Sequence, residues 1–150
     1  MLKISSLMAI VLAVLLCGCE LHSSDNGDLD GFWQLYQMDT LATNHSAEVR
    51  HLKIFWAVQG DMLEMRDLHD LDATRCHEIV NFYFRLDRGK LYLSDPIINN
   101  REISDSIVTQ PSTLEFYGVT QLDEVFDVLQ LDGSKMILQS DRYRMYFNRY

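Results

Sequence analysis

From about residue 29 onward the sequence predicts an all-β fold, an antiparallel barrel or sandwich of roughly eight short strands. Three observations predict it. Apolar and polar residues alternate with a period of two through most of the chain, as expected of strands with one buried face. Turn pairs such as Gly60-Asp61, Arg88-Gly89 and Asp132-Gly133 separate these segments at regular spacing. Helical periodicity is almost absent, and no internal repeat of fixed period is visible.

The segments follow in order. Leu29–Asp39 alternates, with Phe32 and Trp33 beside Gly31, and Thr40–Glu48 reads as a polar loop. His51–Gln59 puts Leu52, Ile54, Trp56 and Val58 on one face, and Gly60-Asp61 turns the chain into Met62–Arg66. Asp67–Cys76 is polar and reads as a loop. Glu78–Asp87 places Val80, Phe82, Phe84 and Leu86 on one face, with Asn81, Tyr83 and Arg85 on the other. Arg88-Gly89 then leads into Lys90–Asp95, which Pro96 should end because proline has no N–H for the ladder. Ile97–Val108 reads as one irregular edge strand. Ser112–Tyr117 could form a single helical turn, with Ser112 as cap and Gly118 as stop. Val125–Leu131, Lys135–Gln139 and Tyr143–Tyr150 complete the set, turning at Asp132-Gly133 and Ser140-Asp141.

The first eighteen residues are of another kind. Lys3 supplies one positive charge, and Leu7–Leu16 is an unbroken apolar run of ten residues. That length suits the core of a secretory signal and falls well short of the roughly 20 residues a membrane-spanning helix needs. The run ends in Leu16-Cys17-Gly18-Cys19. Leu16 at −3, Gly18 at −1 and Cys19 at +1 resemble the bacterial lipobox, which implies cleavage before Cys19 and lipid on its thiol. Cys17 is the poorer acceptor, since bulky Leu16 would then occupy the −1 position. Several acyl chains on one residue hold a protein firmly at a membrane where one chain does not. The expected organisation is a signal peptide over 1–18, lipidated Cys19 with a polar tether to residue 28, and a domain over 29–150. The expected location is the cell envelope, at the outer membrane, with either leaflet open. Glu20, Asp25, Asp28 and Asp30 follow the acceptor, as in some surface lipoproteins of Bacteroidetes, although here the acids are spread out.

Composition narrows the functions. Removing residues 1–18 leaves 132, enough for one domain with a real core. Loss of Lys3 takes the formal net charge from −9 to about −10, which argues against nucleic acid and against a polybasic membrane patch. Cys17 leaves with the signal and Cys19 is consumed by lipid, so Cys76 stands alone and no internal disulfide is expected.

Leu29-Asp30-Gly31-Phe32-Trp33 opens the first strand with Gly-x-Trp. In this position the motif resembles the start of the lipocalin and calycin barrels, where the glycine lets the chain turn in and the tryptophan plugs the closed end. The resemblance implies a basic residue of the last strand lying over Trp33. Arg144 and Arg149 are the candidates, with Arg149 favoured because it follows Phe147 on the inward face. The whole of 29–150 also resembles lipocalin-like lipoproteins of Bacteroidetes. That impression rests on Leu29–Leu35, on Ile54–Gly60, on Leu93–Pro96 followed by Asn100-Arg101-Glu102, on Phe116–Val119 and on Ser134–Asp141. It implies an antiparallel up-and-down barrel of about eight strands with at most one short helical turn.

Signs of chemistry are few. His69, Asp70, Asp72, Cys76, His77 and Glu78 are metal-ligand types within ten residues, but their spacing matches no zinc pattern. Cys76 and His77 are adjacent, so in a strand they would face opposite ways, which fits a nucleophile and base poorly. Paired acids such as Asp123 with Glu124 fall in apparent turns, where acids are ordinarily solvated. No phosphate loop, nucleophile elbow or zincin motif occurs, so no catalytic residue, metal or cofactor is expected. Trp56, Phe82, Phe84 and Phe126, with Met62, Met65, Met136 and Met145, could line an apolar cavity or simply fill the core. The leading expectation is a lipid-anchored, non-enzymatic module that binds a small apolar or amphipathic ligand. The alternative is an accessory envelope lipoprotein with a filled barrel, working through its outer surface.

Overall fold

The computed structural model of the chain describes residues 25–68, 77–99 and 105–150. Ten strands form in order: β1 (Gly31–Thr40), β2 (His45–Glu48), β3 (Ile54–Gln59), β4 (Met62–Asp67), β5 (Val80–Asp87), β6 (Lys90–Ile98), β7 (Ser106–Ile107), β8 (Glu124–Leu131), β9 (Lys135–Gln139) and β10 (Tyr143–Arg149). Eight of them, all but β2 and β7, make an antiparallel barrel in which each strand neighbours the next in sequence. β10 returns to β1 and closes it, from Trp33↔Arg149 to Thr40↔Tyr143. Closure decides between barrel and sandwich and removes the exposed sheet edges.

The hairpin turns fix the polarity of the barrel. Gly60-Asp61, Arg88-Gly89 and the loop of residues 132–134 lie at one end, with the start of β1 and the end of β10. Val128 N–H donates to Gly89 O at 2.8 Å and Arg149 N–H to Ser134 O at 2.9 Å. At this turn end Asp132 organises its own hairpin. Its Oδ1 accepts from the N–H groups of Ser134 and Lys135, both at 2.9 Å, and its Oδ2 from the Gln130 side chain at 2.7 Å. These bonds, that from Gln130 first, hold its carboxyl far below the ordinary value of 3.8. A depressed pKa adds stability that is full above the unfolded value, shrinks as pH falls below it and is gone only below the folded value. Asp132→Ala should therefore lower the urea midpoint at pH 7, with the gap from wild type narrowing at pH 3. An equal gap at both pH values would refute the assignment.

The structure departs from the sequence reading at several places. Residues 45–48 are strand β2, where a loop is expected. Along β1, β3 reaches only Gly31–Gln34, so the far half of β1 takes β2 as its partner through Gln37↔Glu48 to Thr40↔His45. The His-Ser-Ala-Glu sequence is largely exposed and carries no apolar alternation to announce it. β3 begins at Ile54 and not at His51, because Arg50–Leu52 winds into a 3-10 turn ended by Lys53 in the left-handed region. β6 passes through Pro96. Between Asn81↔Ile97 and Tyr83↔Ser94 the register slips by one, and this bulge carries Asp95 at φ 51°. A bulge leaves a residue outside the ladder, which is how a strand accommodates proline.

The Ile97–Val108 segment resolves into the end of β6 and the two-residue β7, with residues 100–104 outside the described set. The expected helical turn is two consecutive 3-10 turns, Pro111–Thr113 and Glu115–Tyr117, and further 3-10 turns occur at Gly27–Leu29 and Arg50–Leu52. Ser112 caps neither of the consecutive pair. Pro111 starts the first and Gly118, at φ 83°, ends the second. Leu86 is 38% exposed although it shares the phase of buried Val80 and Phe82 and pairs with fully buried Leu91.

Candidate functional site

Three layers of side chains fill the axis of the barrel. At the turn end Trp33 is fully buried, and its Nε1–H donates to Leu29 O at 2.9 Å. The Arg149 guanidinium carbon sits 5.2 Å from the centroid of the Trp33 ring, while Nη1 donates to Gly133 O at 3.2 Å and Nη2 to Asp30 O. Gly31 makes room for this arrangement. Its φ is 137°, and a Cβ there would fall 2.8 Å from Arg149 Nη2 and 2.9 Å from Nε. Arg144 has the opposite phase on β10, points outward, and donates from Nε to Gln139 Oε1 at 2.8 Å.

The middle layer is aromatic and sulfur-rich. Trp56, Phe82 and Phe126 are fully buried, together with Met65, Met136 and Met145. Trp56 lies 5.7 Å from the Phe126 ring at 67° and 5.0 Å from the Phe147 ring at 54°. Phe84 packs against this core at its margin. It is half-buried and lines an outward-facing cavity of about 350 Å³ with Asn26, Gly60 and Arg85. Trp56 Nε1 is buried with no hydrogen-bond partner among the described residues. A buried donor left unsatisfied costs about 1–3 kcal/mol, so one retained in a native interior calls for an explanation.

The loop end is covered by residues 108–119. Val108, Leu114, Tyr117 and Val119 are buried there. Tyr117 O–H donates to Glu78 O at 2.7 Å, and Phe116 stacks on the His77 ring with centroids 3.4 Å apart at 9°. His77 Nδ1 is 3.0 Å from Asp67 Oδ2, and the Asp67 side chain is only 2% exposed. Gly118 packs so tightly that a Cβ would collide with Met145 Sδ. Glu124 anchors the return of the cover: its Oε2 accepts from Thr120 N at 2.8 Å, Thr120 Oγ1 at 2.9 Å and Gln121 N at 3.1 Å.

The sequence reading puts Asp67 at the start of a loop and Glu124 in a turn; the structure corrects both, placing Asp67 at the end of β4 and Glu124 at the start of β8. Glu124 is 3% exposed at the start of β8 and not a solvated turn acid. The signal was phase: Glu124 stands two residues before Phe126, and Asp67 two after Met65, each on its strand's inward face. Cys19, His69, Asp70, Asp72 and Cys76 lie outside the described residues. Among the described residues no cluster of three His, Cys, Asp or Glu side chains could hold a metal ion. His77 is engaged by Asp67 and Phe116.

Among the described residues, apolar side chains fill the axis, covered at both ends, around one indole donor without a partner. The comparisons agree with the fold. Residues 14–150 match a family described as a lipocalin-like domain. A lipocalin-like protein from Bacteroides uniformis ATCC 8492 superposes with a TM-score of 0.61 at 18% identity, covering 83% of this chain and 100% of its own. An uncharacterized protein from Bacteroides eggerthii DSM 20697 gives 0.60 at 20% identity, covering 81% of this chain and 98% of its own. No curated protein matches the chain.

Proposed function

The chain belongs to the lipocalin-like domain family, and from that premise we propose that it is a lipid-anchored, non-enzymatic binding module that holds one small apolar or amphipathic ligand inside the barrel. The observation that carries this reading is the interior itself. The eight barrel strands turn aromatic, aliphatic and methionine side chains onto one axis, and the one buried side-chain donor there without a partner is the Trp56 indole. Ligand sites are mostly apolar with a few placed polar groups, which is the chemistry found here. Entry would pass the loop end, whose 108–119 cover is built of 3-10 turns and carries the stacking of Phe116 on His77 and the Tyr117 hydrogen bond to Glu78 O. The acidic charge of the chain speaks against nucleic acid as a partner.

Native against denaturing mass spectrometry of the full chain tests the binding reading. A small molecule released stoichiometrically on denaturation supports it. A clean apo mass, with no uptake from a pool of apolar compounds, would overturn it and favour the outer-surface alternative. The anchor has its own test. We expect the wild-type chain in the membrane fraction with added acyl mass, and Cys19→Ser in the soluble fraction without it. A Cys19→Ser chain that keeps its lipid would place the acceptor elsewhere.

A further inference from the structure

We propose that the Trp56 indole N–H is the polar anchor of the interior site, and that the ligand is an uncharged, mainly apolar molecule with one hydrogen-bond acceptor, such as a ketone or ester carbonyl. This rests on the binding reading above and narrows its ligand class.

The two tryptophans of the chain make the contrast. They are cross-strand neighbours on β1 and β3, and both are fully buried. Trp33 spends its N–H on the Leu29 carbonyl, whereas Trp56 Nε1 has no acceptor among the described residues. The neighbours of Trp56 can give way. Met65 lies directly across from it on β4, and Met136 and Met145 share the buried interior. Methionine is unbranched and repacks readily, so these side chains can retract from a ligand that rigid aliphatic residues would exclude.

Charge selects the class. Among the described residues the buried polar ones are Glu124 and Ser140, the Asp67 side chain faces inward at the loop end, and no buried Lys or Arg balances them. Arg149 is held outside Trp33 by the carbonyls of Asp30 and Gly133. A carboxylate ligand would lose its hydration, pass two carboxylates and find one neutral donor, which leaves a buried charge without a partner. A carbonyl needs one donor, and Trp56 supplies one.

The test uses three probes of one chain length, a medium-chain methyl ketone, the alkane and the carboxylate, on the full chain carrying Cys19→Ser. Trp56→Phe keeps a ring in place and removes the donor. We expect the ketone to bind wild type most tightly and to lose about tenfold in affinity in Trp56→Phe, with the alkane changing less than about twofold. A direct readout in the wild-type chain needs no variant: of the two indole N–H resonances, ketone should shift that of Trp56 downfield and leave Trp33 in place. Ketone and alkane binding that Trp56→Phe leaves unchanged would overturn the anchor while the binding reading stands. Tight carboxylate binding would overturn the ligand class. Failure of all three probes to bind wild type would overturn the binding reading, and the anchor with it.

Discussion

Trp33→Ala should lower the free energy of unfolding by about 3–5 kcal/mol, the range for deleting a large buried aromatic side chain. Several losses coincide at this position. The ring is fully buried across from Trp56, so its removal leaves a void beside the central layer. The Leu29 carbonyl loses its indole donor, and the Arg149 guanidinium loses the ring it lies over. Arg149→Ala removes the cap together with the guanidinium hydrogen bonds to Gly133 O and Asp30 O and, at an exposed position, should cost about 1 kcal/mol. Chemical denaturation of both single variants and the double variant would check the account. Because the cap acts through the ring, the two losses should be less than additive, with only the two carbonyl hydrogen bonds of Arg149 left to lose once Trp33 is alanine. Fully additive losses would show that Arg149 stabilises the domain through these carbonyl hydrogen bonds and not through the ring.

Gly118→Ala should be the second large effect. Gly118 sits at φ 83°, where a Cβ costs about 1–2 kcal/mol. That Cβ would also strike Met145 Sδ and lie 3.5 Å from Met38 Sδ. Met145 is fully buried, so its movement repacks the interior, which typically costs about 1–3 kcal/mol more. A combined loss of roughly 2–5 kcal/mol is expected, with the cover over the loop end loosened first. Amide exchange should therefore rise across residues 114–119 more than across the turn-end hairpins. Equal change at both ends would mean that Gly118 acts only on global stability. Gly60 and Gly89 make useful comparisons: both have positive φ, yet a Cβ at either meets nothing within 4 Å. Alanine there should cost only the backbone share.

The barrel was legible in the sequence because period-two alternation states which face is buried and glycine-containing turns state where strands reverse. Ile54, Trp56 and Val58 on β3, and Phe126 on β8, are buried in the phase the sequence implies. β2 was illegible because its stabilisation is backbone pairing on an exposed flank, which leaves no pattern in side chains. The passage of β6 through Pro96 was illegible for a related reason, since a bulge depends on the partner strand and not on the local sequence. At the candidate site, the aromatic lining could be read but the unsatisfied indole could not. Whether a tryptophan N–H finds an acceptor depends on residues brought together by closure: Leu29 reaches Trp33, and no equivalent carbonyl reaches Trp56. Asp67 and Glu124 were hidden because inward acids contradict the usual exposure of carboxylates.

The seam between β1 and β10 has a consequence for how the domain comes into being. Trp33 pairs with Arg149, so the contacts that close the cylinder join residues more than a hundred positions apart. The entropy of gathering so long a loop must be met before those contacts return anything, and folding rates fall as such distant pairings dominate. On a ribosome the hairpins from β3 to β9 can form as they emerge, but the open sheet keeps two unpaired edges until the last strand is made. During that interval the intermediate is exposed to pairing with other chains, and the seam ends the hazard in one late step.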